Sequence, residues 1–209
     1  TIMKNIFIIS GYGIPKDILK DEPYRKYLGF TFNKIYQICL DKKDKEPIII
    51  FTGGPSDVFK PYKRTEAQEM KKLFLNYAKR DFVRKHTKTW KYKTENKSLC
   101  TIENIIYSDS LVKNIRGKKF FYLFCEYTRR NKVKTFAKKI IKKNFKVIDL
   151  DFDLSANRYL EPEFLHKKES FSVKYELKTL TDQKFKKQFH KTLEDRLDFF
   201  RKQGPKKHR

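Results

Sequence analysis

Short apolar runs alternate with amphipathic stretches along most of the chain. The run NIFIIS, residues 5–10, has the length and composition of a strand and stops at the breaker-rich GYGIP. Residues 24–40 place apolar side chains at helical spacing. PIIIF, residues 47–51, reads as a second strand ending in TGGPS, and residues 65–77 as the helix after it. The alternation continues with a strand at 89–94, a helix at 102–112, a strand at 119–125, a helix at 131–143 and a strand at 146–151. Strands that alternate with helices in this way predict right-handed crossovers and a mostly parallel sheet. The expected class is α/β, a three-layer, Rossmann-like sandwich spanning residues 1–153.

Beyond residue 153 the pattern changes, and residues 154–209 are expected to form an extension packed on the same domain. Residues 155–170 read as irregular, and residues 171–180 as a strand or one arm of a hairpin. Residues 182–203 form a highly charged helix with a stripe of Phe185, Phe189, Leu193, Leu197 and Phe200. That stripe is expected to pack on the domain or on a second copy in a homodimer, in preference to nucleic acid. The closing GPKKHR reads as a frayed basic tail.

Composition changes the picture in two respects. The 19 Phe and 12 Tyr predict a core rich in aromatic rings. The net charge of +25 would ordinarily point to a polyanion, but only 11 of the 50 basic residues are Arg, the residue suited to forked phosphate and base contacts. Codon bias explains a Lys-rich surface equally well, so weak, nonspecific polyanion binding is the expectation. Three cysteines without CxxC spacing argue against a disulfide framework or a zinc ribbon and fit a reducing, cytoplasmic setting. No apolar run reaches the length of a membrane span.

The candidate chemistry lies in the loops after the strands. The first strand is followed by Gly11 and Gly13. The second leads to Gly53 and Gly54, then Arg64, Thr65 and Glu66. The third leads into TENKSLCTIENI, with Glu95, Ser98, Thr101, Glu103 and Asn104, and the fourth ends in Glu126 with Arg129 and Arg130. Parallel strands point their carboxyl ends the same way, so the four loops should share one rim, where open α/β sheets bind ligands. Each residue also has a plainer reading. The glycines serve tight turns, Thr65 and Thr101 serve as helix N-caps, Glu66 complements a helix dipole, and Asn104 bonds to a neighbouring loop. No HExxH, serine elbow or GxxxxGKS motif is present, and no metal site is expected.

The succession of Gly53–Gly54, then Thr65–Glu66–Ala67, then ExxSxxTxEN over Glu95, Ser98, Thr101, Glu103 and Asn104, then Cys125–Glu126–Tyr127, resembles the YdcF/SanA/ElyC-like family, a bacterial domain of unknown function. The resemblance covers about residues 4–150. It implies a Rossmann-like domain that binds a small ligand, with S-adenosylmethionine or a similar nucleotide as the cofactor in one case and cell-envelope biogenesis in others. The family's fourth loop carries a His and an Arg that here fall at Thr128 and Asn131. The loss of the imidazole removes the obvious acid/base group.

Two readings follow. In the first, the chain binds a small anionic or nucleotide-like ligand. The glycines are then close-approach positions or backbone donors, Glu95 accepts from a ribose or an amine, Ser98 and Thr101 donate hydroxyls, and Arg129 or Arg130 clamps an anion. In the second, it is a hydrolase or transferase of envelope or glycan chemistry, with Glu66, Glu95, Glu103 or Glu126 as general base. A basic nucleic-acid-associated module is a third class.

Overall fold

The computed structural model describes residues 3–151 and 162–204. Five parallel strands, β1 (Lys4–Ser10), β2 (Ile48–Thr52), β3 (Lys91–Glu95), β4 (Lys119–Glu126) and β5 (Phe145–Leu150), form one sheet in the order β3-β2-β1-β4-β5. One face carries α1 (Glu22–Asp41), α2 (Glu66–Ala78) and the short α3 (Asp81–Thr87). The other carries α4 (Thr101–Val112), α5 (Arg130–Ile140) and the end of α6 (Pro162–Lys178). The chain is therefore the three-layer α/β sandwich that its alternating pattern predicts.

The central strands are apolar throughout because both of their faces are covered. In β1, Phe7 and Ile9 enter one core while Ile6 and Ile8 enter the other, and all four are fully buried. The two cores differ in chemistry. The α1/α2 side is aromatic, with Phe7 stacked on Tyr122 at 4.9 Å and Phe74 edge-on to both Phe32 and Phe51. The α4/α5 side is built largely from Ile, Leu and Val. The edge strands carry Lys91, Lys93 and Lys146, which discourage pairing with another chain.

Local signals set the helix starts. Asp21 caps α1 by accepting the Tyr24 N–H at 3.0 Å, with Pro23 in the first turn. Thr65 caps α2 by accepting the Gln68 N–H at 3.2 Å.

Three expectations are corrected. Residues 171–180 are not a strand: all but the last two lie in α6, and Pro162 to Ser170 of the supposedly irregular stretch belong to the same helix. The alternation Phe171, Val173, Tyr175, Leu177 mimics a strand, but the face turned inward runs Glu169, Val173, Glu176, Leu177, Leu180 at helical spacing. Two of those inward positions are carboxylates, which masked the stripe. Thr101 is not the N-cap of α4 but its first residue, and Cys100 precedes it without a side-chain cap. α3 also lies outside the predicted elements. It buries Val83 and Thr87, and the Thr87 hydroxyl donates to the Ala78 carbonyl at 2.7 Å. The expected domain boundary and residues 155–161 and 205–209 lie outside the described residues.

The last helix, α7 (Gln183–Gln203), starts at Asp182, which accepts the Phe185 N–H at 2.8 Å. It buries no residue fully. Polar ties hold it. His190 Nδ1 lies 2.8 Å from Glu103 Oε1, and the Arg201 guanidinium donates to the carbonyls of Asp57 and Pro55 at 3.0 and 2.9 Å.

Candidate functional site

The strand order reverses beside β1: the first three strands run β1, β2, β3 outward, and the chain then crosses back to β4 on the other side of β1. Loops diverge at such a point and leave a crevice at the carboxyl edge. Arg129 spans it, with Nη1 donating to the Gly11 carbonyl at 2.7 Å.

Glycines let the rim close on itself. A Cβ on Gly54 would stand 2.5 Å from the Ser98 carbonyl oxygen, which instead accepts the Gly54 N–H at 2.7 Å. Gly11 and Gly53 leave room for the Glu66 carboxylate, and Gly53 has φ +145°, which disfavours any other residue. Ser56 Oγ donates to Glu66 Oε1 at 2.6 Å. Gly13 lies outside this contact, and its carbonyl accepts the Tyr24 hydroxyl at 2.5 Å.

The TENKSLCTIENI loop is organised by its own carboxylates. Glu95 is buried, and one oxygen accepts the N–H groups of Lys97 and Ser98 at 2.6 and 3.0 Å. The other accepts the hydroxyls of Thr52, at 2.8 Å, and Ser98. Glu103 accepts the Leu99 N–H at 2.8 Å and meets His190. Capping of α4 comes from far along the chain: Glu176 of α6 accepts the Ile102 N–H at 3.0 Å.

Over this rim lies a cavity of about 580 Å³. Gly11, Gly53, Glu66, Ser98, Thr101 and Asn104 contribute to its floor, together with Arg129. α6 and α7 roof it. The apolar surface comes from Leu99, Phe171, Tyr175, Phe185, Phe189 and Leu193, so part of the stripe on α7 faces the sheet edge of its own chain.

Buried charge concentrates along one wall. Lys132 lies 2.7 Å from Glu169 and 2.6 Å from Glu176. Arg129 Nε lies 3.0 Å from Glu126 and 3.6 Å from Glu169. Burial opposes the charge of Arg129, but Glu169, Glu126 and Glu66 outweigh it and raise its pKa. Burial works against the Glu169 charge too, yet Arg129 and Lys132 pull its pKa down to about 2. Lys168, also on this wall, is pushed down to about 8, first by burial and then by Arg196. The Cys100 thiol lines the cavity but is raised well above its usual range by burial and by Glu176 and Glu103, so it is a poor nucleophile at neutral pH.

Of the sequence-derived candidates, then, Gly11, Gly53, Glu66, Ser98, Thr101, Asn104 and Arg129 meet at the cavity. Gly13, Gly54, Thr65, Glu95, Glu103 and Glu126 do not line it; each is engaged in loop or helix contacts. Arg64 forks onto Asp57 through Nε and Nη2, both at 2.9 Å, and Arg130 reaches Asp149 on the outer strand at 3.4 Å. Thr128, at the position of the missing imidazole, is buried and bonded through its N–H to Glu126 at 2.9 Å. The residues that sequence reasoning missed are Lys132, Lys168, Glu169, Glu176 and Arg196, all on helices. Their charged runs look like ordinary solvated surface; for Lys168, Glu169 and Glu176 a helical reading of residues 162–178 would have been the signal, while Lys132 and Arg196 lie on helices that were predicted but whose charged faces gave none.

No family model matches this chain, and no curated protein or solved structure matches it. Among the described residues no cluster of His, Cys, Asp or Glu is arranged to hold a metal ion, and no helix is long and apolar enough to cross a membrane.

Proposed function

We propose that the chain binds a small anionic or nucleotide-like molecule at the carboxyl edge of its sheet, and that it works in the cytoplasm. The observation that carries this reading is the cavity itself. Its volume of about 580 Å³ lies within the roughly 300–1,000 Å³ of ligand pockets, and it sits where open α/β sheets take ligands. The YdcF-like motif places S-adenosylmethionine among the molecules to try. Calorimetric titration with S-adenosylmethionine and with adenosine phosphates tests the reading, as does mass spectrometry of any ligand carried through purification. Saturable binding that is lost in Thr192→Trp, which fills the cavity from its exposed roof helix, is the expected result. Binding that survives that substitution would place the ligand elsewhere.

A second reading, a hydrolase or transferase acting on a phosphorylated or glycan-linked substrate, draws on one observation. Among Glu66, Glu95, Glu103 and Glu126, only Glu66 lines the cavity. In that reading Glu66 is the general base, and Glu66→Gln would lower turnover by about 10²–10⁴-fold with little change in KM.

A further inference from the structure

The charges around the cavity do not cancel evenly. Arg129 and Lys132 are matched by Glu126, Glu169 and Glu176 at ion-pair distance. Lys168 and Arg196, which line the same cavity, have no carboxylate within ion-pair reach among the described residues. The nearest acid to Lys168 in the chain, Glu169, is already engaged by Lys132 and Arg129. Arg196 is the strongest charge acting on Lys168, and it opposes protonation there. Lys168 is partly buried and feels the like charge of Arg196, which is exposed, a cost that an anion would relieve.

The aromatic lining on the same two helices is apolar and incompletely covered. Phe185 and Phe189 lie nearly parallel, with ring centroids 6.0 Å apart and 17° between planes. Phe171 and Tyr175 meet at 5.1 Å but remain 69% and 43% exposed although both line the cavity. An occupant that removes these rings from water must be apolar where it meets them and flat enough to lie along them.

We infer that the cavity takes an organic anion whose phosphate-, sulfonate- or carboxylate-type group sits between Lys168 and Arg196, joined to a flat apolar group lying against Phe171, Tyr175, Phe185 and Phe189. The inference rests on the cavity being the ligand site. It moves the anion contact from Arg129 and Arg130, both already facing carboxylates, to the helices of the roof.

The test uses the full chain and two probes, the fluorescent anilinonaphthalene sulfonate and 1-naphthyl phosphate as its competitor. The expected result is saturable fluorescence enhancement that 1-naphthyl phosphate reverses, while inorganic phosphate alone and neutral 1-naphthol alone compete at least about tenfold less well. Lys168→Gln and Arg196→Gln should each weaken the probe about five- to twentyfold, and Lys168→Arg should restore most of the loss. Lys187→Gln, on an exposed position of α7 away from the cavity, should leave it unchanged. Should Thr192→Trp abolish binding while the Lys168 and Arg196 variants bind as the parent does, the anion subsite is wrong and the cavity reading stands. Probe binding untouched by Thr192→Trp would overturn both. Equal binding of naphthol and naphthyl phosphate would also overturn the anion subsite.

Discussion

Glu176 of α6 ties together the two helices α4 and α5 from far along the chain: one oxygen accepts the Ile102 N–H at 3.0 Å, and the other sits 2.6 Å from Lys132 Nζ. A single buried carboxylate thus caps α4 and neutralises the lysine of α5. Glu176→Ala should cost about 3–5 kcal/mol, because it leaves a buried cation short of a partner and an uncapped amide. Glu176→Gln should cost less. Urea unfolding at neutral pH gives both values, and a loss below about 1 kcal/mol for the alanine variant would mean that Glu169 suffices for Lys132.

Glu169 sets an acid limb to stability. Its pKa is held at about 2 in the folded chain against 4.5 for a free glutamate side chain. Between those values the unfolded chain binds more protons, so lowering the pH favours unfolding. This contribution is fully present above pH 4.5 and disappears as the pH falls toward 2. Glu169→Gln should be less stable at neutral pH and should show a shallower decline across that window. Parallel pH profiles for the parent and the variant would argue against the ion pairs with Lys132 and Arg129.

Lys168, unlike Glu169, costs stability at neutral pH. Its pKa of about 8 lies below the free value of 10.5, so the folded chain tolerates its proton poorly and gains stability as pH rises through that interval. Lys168→Gln should therefore stabilise the ligand-free protein at neutral pH, on the order of 1 kcal/mol, while weakening anion binding. Thermal melts with and without 1-naphthyl phosphate separate the two effects. A variant that melts lower without ligand would contradict the account.

Glu95 is expected to act on stability rather than affinity. It accepts two N–H groups and two hydroxyls and does not line the cavity. Glu95→Gln turns an NH2 group toward donors that need an acceptor and should cost about 2–3 kcal/mol. Probe affinity in the folded fraction should stay within about twofold of the parent. A large loss of affinity at unchanged stability would return Glu95 to the role of ligand acceptor.

The sheet was legible in the sequence because strands covered on both faces must be apolar throughout, as in Ile6–Ile9 and Ile48–Phe51. Parallel strands also fix which loops share an edge, so the rim could be anticipated from order alone. Side-chain direction could not. Glu95 and Ser98 share one loop, yet Glu95 turns into that loop while Ser98 lines the cavity. The roof was hidden for a different reason. Glu169 and Glu176 occupy core-facing positions of α6 beside Val173 and Leu177, while Phe171 and Tyr175 line the cavity and stay exposed, a departure from an ordinary amphipathic helix. A period search on hydrophobicity alone reads that arrangement as a strand.

The capping of α4 by Glu176 bears on the order in which the protein is made. Every strand among the described residues has been synthesised by residue 150, yet the partners of Lys132 and of the Ile102 amide arrive only with residues 169 and 176. Until then the nascent sheet carries a lysine with neither carboxylate and a helix with one end open. Protease resistance of ribosome-stalled chains should therefore rise in two steps, with protection around α4 and α5 appearing only once residue 176 is clear of the exit tunnel.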